Sequence, residues 1–378
     1  MSRLPQGPVV ITANEAAAYA AVLARVQAVG CYPITPQTLI VERLAELLAG
    51  RSDVEFAELE SEHSMFGYVV GAARAGVRTF TATSSQGLLY AHEQLHRASR
   101  ERIPLVVVDV NRAVFAPWSI EPDLTDAMSQ RDTGWIQLYC SSAQEVLDTV
   151  LCAYPLAERS MLPVLVCAEG FLLSHTSEVV DIPSQEAVDA FVPVLEPPED
   201  WLLDPRRPRL FSALPGADDY YAFQREVALA LDHAGATFEA VAAEFTHRFG
   251  RRKVGALEVS GNRRASRAVV AIGTIAETAR ELLDDDPDLM VVRVHAYRPF
   301  PSDQLADVLA PVAHVVVVDR AAAFGALGPL ACDVRALGID ATPVVAGLGG
   351  VDVTPVTLQW ALEQPAGVAA VYVPEGTR

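Results

Sequence analysis

Residues 104–110 read PLVVVDV, a run of leucine and valine interrupted only by Asp109 and without polar alternation. A strand that offers no polar face must be covered on both sides, as happens inside a parallel sheet clothed by helices. The rest of the N-terminal half fits that requirement. An alanine-rich helix over 14–29 leads through a turn at Gly30 and Cys31 into the loop YPITPQT at 32–38, and a second helix runs through Leu48. A strand at 54–59, a helix at 63–75, a strand at 78–83 and a helix at 88–100 precede the central run. A helix at 143–158 and a strand at 162–167 follow it. The alternation predicts a doubly wound α/β unit ending near residue 180.

Seven prolines fall between Pro183 and Pro215, and periodicity is lost there, which predicts an extended connector. Residues 219–249 read as one long helix, or as two broken near Gly235. A second α/β unit begins at Arg267, with strands at 268–272, 290–294 and 314–318, helices at 275–284 and 302–310, glycine-rich turns, and a last helix near 354–363. The expected organisation is therefore 1–182, a connector and helical segment over 183–264, and 265–378.

Several function classes are excluded by charge and by single residues. With 29 basic against 48 acidic residues, the net charge of −19 leaves no basic surface for a phosphate backbone, so nucleic acid is not an expected partner. Lys253 is the only lysine. It stands between Arg252 and Val254, so no Gly-Lys-Ser/Thr phosphate loop exists, and a solvated surface residue is the better reading than a Schiff-base lysine. Cys31, Cys140, Cys152, Cys167 and Cys332 are odd in number and contain no CxxC pair, which argues against a disulfide framework, a zinc site or a cluster ligand set. Neither a signal peptide nor an apolar stretch of membrane-spanning length is visible, and the expected location is cytoplasmic, with no membrane partner.

In an open α/β sheet, ligands bind beyond the carboxyl ends of the strands. The polar residues that follow the expected strands are Thr35 in the 32–38 loop, Glu60 to His63, Ser84 to Gln86, and Asn111 with Arg112. Each has a plainer alternative. Glu62 begins a helix, where a carboxylate commonly serves the helix dipole. Arg112 at a strand end could be an ion-pair partner, although arginine is also the preferred fork for a carboxylate substrate. Thr35 could satisfy loop backbone groups, and His63, starting a packed helix, reads as a core histidine. The glycines at 325–328 and 347–350 do not form a GxGxxG frame and read as turns.

Taken together, YPITPQT at 32–38, ESEHSM at 60–65, TFTATSSQGL at 79–88, NRA at 111–113 and RDTGWIQLY at 131–139 resemble the alpha subunit of the pyruvate:ferredoxin oxidoreductase family. RPFP at 298–301, Asp319-Arg320, Phe324-Gly325 and GLGG at 347–350 are similar to the same subunit, in the same order.

The resemblance implies a thiamine pyrimidine-binding domain followed by a transketolase C-terminal-like α/β domain. It implies thiamine diphosphate shared with a beta subunit, while magnesium and iron-sulfur clusters belong to partner chains, which could include gamma and delta subunits. The implied reaction is oxidative decarboxylation of a small, pyruvate-like 2-oxoacid, the acyl group passing to coenzyme A and the electrons to ferredoxin. Glu62 matches the family's catalytic glutamate, whose carboxylate hydrogen-bonds N1′ of the aminopyrimidine and favours its imino tautomer. Thr35 and Arg112 match residues at the thiamine and substrate end. Asp123 to Asp126 stand where relatives often carry Asp-His-Ser-Asp, a region that approaches the substrate. A branched-chain 2-oxoacid enzyme and a non-catalytic assembly subunit are the alternatives. A dinucleotide-binding oxidoreductase is disfavoured by the missing glycine fingerprint.

Overall fold

A computed structural model describes residues 4–196, 198–199, 201–251, 255–367 and 369–377; Lys253 lies outside them. The chain runs β1 (Gly7–Thr12), α1 (Ala13–Leu23), β2 (Ala28–Cys31), α2 (Thr38–Leu48), β3 (Glu55–Glu58), α3 (Glu62–Arg74), β4 (Thr79–Thr83), α4 (Ser85–Tyr90), α5 (His92–Arg100) and β5 (Val106–Asn111). It continues through α6 (Thr125–Met128), β6 (Ile136–Tyr139), α7 (Ala143–Ser160), β7 (Val164–Glu169) and β8 (Ser177–Ile182). Two helices follow, α8 (Gln185–Phe191) and α9 (Ala217–Phe249).

The second half contains β9 (Leu257–Gly261), β10 (Arg267–Ala271), α10 (Thr274–Arg280), β11 (Leu289–Val294), β12 (Ala296–Arg298), α11 (Ser302–Leu309) and β13 (His314–Asp319). It ends with α12 (Pro329–Ala336), β14 (Ala341–Val345), α13 (Pro355–Leu362) and β15 (Val371–Tyr372).

The first sheet has the order β12-β6-β7-β5-β4-β2-β3 and is parallel except at β12. Every residue of β5 and β7 is buried, as a strand covered on both faces requires. Each buried valine of β5 contributes about 1.5–3 kcal/mol relative to exposure. From β2 the chain passes to β3 on one side and then to β4 on the other. The carboxyl ends of β2 and β4 therefore flank a topological switch point, where such sheets form a crevice.

The second sheet has the order β15-β14-β13-β10-β11-β9, with β9 antiparallel. It does not stand apart. β12 leaves it to pair with β6 of the first sheet, and Arg293 of β11 donates to Glu145 of α7 at 2.8 and 2.9 Å in a buried ion pair.

Some elements differ from the expectation. The helix expected over 14–29 stops at Leu23, because residues 28–31 form a buried strand too short to show a period of its own. Gly30 lies in that strand because a Cβ there would meet Val69 Cγ1 at 3.0 Å. β6 was concealed within RDTGWIQLY, and β1 pairs with β8 as a separate antiparallel ribbon. β9, β14 and α12 were also not expected. The helix expected over 88–100 is two, α4 and α5, meeting at Ala91. The proline-rich stretch carries α8, and α9 runs unbroken through Gly235. No helix among the described residues is long and apolar enough to cross a membrane.

Candidate active site

Four loops meet at the switch point. The loop after β2 is closed by its own backbone, the Gln37 amide donating to the Ile34 carbonyl at 2.8 Å, and tied down by side chains: Asn14 donates to the Pro36 carbonyl at 2.8 Å, and Gln37 donates to the Ala82 carbonyl at 2.9 Å. Thr35 is held at its tip with its side chain exposed. Its hydroxyl has no hydrogen bond among the described residues, so it does not serve the loop backbone. The Thr35 carbonyl instead accepts from Arg112 Nη1 at 2.7 Å.

Glu62 is the first residue of α3, but Ser61 is the cap and accepts from the Ser64 amide at 3.2 Å. Glu62 is thus not the cap, although it stands in the first turn and its carboxyl accepts from its own backbone amide. Its side chain is 7% exposed, and no described residue donates a side-chain hydrogen bond to it. Burial raises its pKa, its own backbone amide opposing the shift. Gly87 lies against it: a Cβ at that position would be 2.6 Å from Glu62 Oε1 and in collision with Thr83 Oγ1. The hydroxyls of Thr83 and Ser84 are buried without a hydrogen-bond partner.

His63, one residue on, turns to the other side of the helix. It is not a core histidine: it is partly exposed, 3.4 Å from Glu93 and 3.1 Å from Gln94 Nε2.

Arg112 follows β5 and is 4% exposed. Among the described residues it has no carboxylate ion pair; its Nη1 and Nη2 donate to the Thr35 carbonyl and to Gln86 Oε1, each at 2.7 Å, while Nε is buried without a partner. Each Nη nitrogen commits one hydrogen, so further donors remain for an anion. Burial lowers its pKa, opposed by the charge of Asp126, and it stays a cation. Trp118, 73% exposed, lies 6.0 Å from the guanidinium and stacks on Phe115.

Thr35 and Arg112 are therefore in direct contact. Glu62 joins them through Gly87 and its neighbour Gln86. The buried Arg112 cation can orient an anionic substrate, and the buried Glu62 carboxyl can exchange a proton with a polar ring.

Gln86, Asn111 and Asp126 complete the arrangement. Asp126 Oδ2 accepts from the amides of Arg112 and Ser85 at 2.9 and 3.0 Å, and Oδ1 accepts from Asn111 Nδ2 and the Ala127 amide at 3.0 and 2.8 Å. Only the strand-end positions of Gln86 and Asn111 hinted at this; nothing in the local sequence marks Asp126 as buried.

The second unit closes one side. The Gly350 amide donates to the Pro122 carbonyl at 2.9 Å, the Leu124 amide donates to the Arg320 carbonyl at 2.9 Å, and the Thr274 amide donates to Glu169 Oε2 at 2.8 Å. Among the described residues no cluster of His, Cys, Asp or Glu could hold a metal ion.

Residues 19–243 match the family described as pyruvate flavodoxin/ferredoxin oxidoreductase, thiamine diP-binding, and residues 265–358 match the pyruvate:ferredoxin oxidoreductase core domain II. The chain is 40% identical over 356 residues to the ketoisovalerate oxidoreductase subunit VorA of Pyrococcus horikoshii, covering 91% of this chain and 90% of the relative. It is 41% identical over 361 residues to the pyruvate synthase subunit PorA of Methanothermobacter thermautotrophicus, covering 93% of each. A solved structure of the 2-oxoglutarate:ferredoxin oxidoreductase from Magnetococcus marinus, with 2-oxoglutarate, coenzyme A and succinyl-CoA bound, matches with a TM-score of 0.76 at 18% identity. That match covers 96% of this chain and 66% of the other, and the likeness is one of fold.

Proposed function

This chain belongs to the pyruvate flavodoxin/ferredoxin oxidoreductase family as an alpha-type subunit, and from that premise we propose how its residues share the work. It is part of a thiamine diphosphate-dependent enzyme that oxidises 2-oxoacids with ferredoxin as acceptor, and it works together with other subunits. Residues 1–182 form the pyrimidine-binding unit, 183–264 the connector, and 265–378 the transketolase C-terminal-like unit.

The observation that carries the residue assignment is Glu62: a buried carboxyl with no side-chain partner, packed against Gly87, whose missing side chain permits the approach. A buried carboxyl without a side-chain partner suits the ring nitrogen of an aminopyrimidine, and the unpartnered Thr83 hydroxyl, packed against the same glycine, offers a further hydrogen bond. When bound, thiamine diphosphate supplies the electron-sink chemistry for decarboxylation. Glu62 holds the proton shared with the pyrimidine ring nitrogen, and its raised pKa favours that sharing. Arg112 orients the 2-oxoacid carboxylate, and the exposed Thr35 hydroxyl hydrogen-bonds at the same end. Magnesium, the diphosphate contacts and the iron-sulfur clusters lie on partner chains, the first of them a beta subunit.

A small oxoacid is the substrate class. Near-equal identity to ketoisovalerate and pyruvate subunits supports pyruvate and its branched-chain analogue alike. Co-expression with a beta-type partner, followed by pyruvate- and 2-ketoisovalerate-dependent reduction of ferredoxin in the presence of thiamine diphosphate, magnesium and coenzyme A, tests the reading. Turnover lost in Glu62→Gln supports it; full turnover in that variant overturns the role of Glu62.

A further inference from the structure

Asp126 is fully buried and sits behind the crevice, yet its two oxygens hold four donors from three different segments. One oxygen clips Ser85, which opens α4 just beyond β4, to Arg112, the residue after β5. The consequence is visible at Ser85, whose φ of +46° is a left-handed conformation that non-glycine residues keep only when their surroundings impose it. From that backbone position the Ser85 hydroxyl lies within hydrogen-bond distance of both Gln86 Oε1, at 2.6 Å, and the Ala113 carbonyl, at 2.7 Å. Gln86 Oε1 is in turn the acceptor for Arg112 Nη2.

We propose that Asp126 is a positioning residue for the oxoacid clamp, fixing the ends of β4 and β5 so that Gln86 and the Thr35 carbonyl hold the Arg112 guanidinium ready for a carboxylate. This rests on the reading of Arg112 as that clamp.

A second buried carboxylate, Asp109, shares the same Asn111 amide at 2.7 Å but has no other donor. Burial and the neighbouring Asp126 push the Asp109 pKa well up, and burial raises that of Asp126 to about 6 against the pull of its donors. Asparagine at 109 can keep the oxygen that accepts from Asn111 and place its amide nitrogen where Oδ1 has no donor, whereas at 126 either orientation turns an amide nitrogen against two donors, although both sites are equally buried. The positioning role therefore predicts unequal effects of two chemically identical substitutions.

The test is a double-substitution cycle in the assembled enzyme. It reads the Kd for oxamate, a non-decarboxylating isostere of the small oxoacids, by calorimetry, and the KM for pyruvate and 2-ketoisovalerate. Asp126→Asn is expected to raise both constants by roughly tenfold, with thiamine diphosphate affinity little changed, and Asp109→Asn by less than about twofold. Added to Arg112→Ala, Asp126→Asn should raise them no further, because the clamp it positions is gone. If Asp126→Asn does not assemble, Asn111→Ala, which removes one of the four donors, takes its place and should likewise lose its effect in the Arg112→Ala background. Additive effects, or equal effects of Asp109→Asn and Asp126→Asn, overturn the positioning role while leaving Arg112 as the clamp. Unchanged constants in Arg112→Ala alone overturn both readings.

Discussion

Gly87 and Glu62 are packed so closely that the first carbon of any side chain at 87 would stand 2.6 Å from Glu62 Oε1. The glycine is required by close approach and not by its backbone angles, since it lies within the helix α4. Gly87→Ala is therefore expected to displace the Glu62 carboxyl and lower thiamine diphosphate affinity at least tenfold, while overpacking costs about 1–3 kcal/mol of stability. Calorimetric titration of the assembled enzyme with the cofactor, set beside thermal unfolding, separates the two effects.

Glu62→Gln keeps the shape but cannot accept and return a proton. Loss of a general acid–base group predicts a fall in kcat of about 10²–10⁴ with normal subunit assembly, measured by oxoacid-dependent ferredoxin reduction and gel filtration. Activity within threefold of the parent would transfer the role to another group.

Arg112→Lys retains the charge but not the planar fork, and should lower kcat/KM for the oxoacid. Arg112→Ala should lower it further, by about 10- to 150-fold, the equivalent of about 1.5–3 kcal/mol for a lost hydrogen bond to a charged group. Steady-state kinetics alongside unchanged cofactor affinity checks this.

Arg293 pairs with Glu145 across the junction of the two units at 2.8 and 2.9 Å, and with Glu258 of the neighbouring strand β9 at 2.9 Å. Arg293→Ala takes the guanidinium from the buried Glu145, while Glu258 keeps Arg280, and is expected to destabilise the chain by about 3–5 kcal/mol. Chemical denaturation of the chain, parent against variant, measures it, and a loss below about 1 kcal/mol would contradict the buried-pair account.

Asp319 supplies the pH prediction. Burial pushes its pKa up to about 7, despite the Leu330 and Ala331 amides that donate to it. Because the folded value lies above the unfolded one, this carboxyl favours the fold below about pH 4, and that contribution is lost as pH rises through about 7. Asp319→Asn removes the titration, so its stability relative to the parent should increase between pH 5 and pH 8. Denaturation midpoints at those two pH values check the sign.

The alternation of elements, the buried parallel strand at 104–110 and the polar residues at the strand ends follow from local pattern, since the periods of helix and strand are properties of consecutive residues. Glu62, Thr35 and Arg112 could be named because their motifs are contiguous in the chain. The strands at 28–31 and 136–139 could not be read in that way: four buried residues carry no period, and their partners lie far away in sequence. The cap at Ser61 is local, reaching three residues on to Ser64, whereas the partly exposed position of His63, facing Glu93 and Gln94 of α5, is set by packing between helices. Asp126 is decided by tertiary structure alone. Its four donors come from residues 85, 111, 112 and 127, and only folding brings the ends of β4 and β5 to one buried carboxylate, where a polar group must find its partners or not be buried at all.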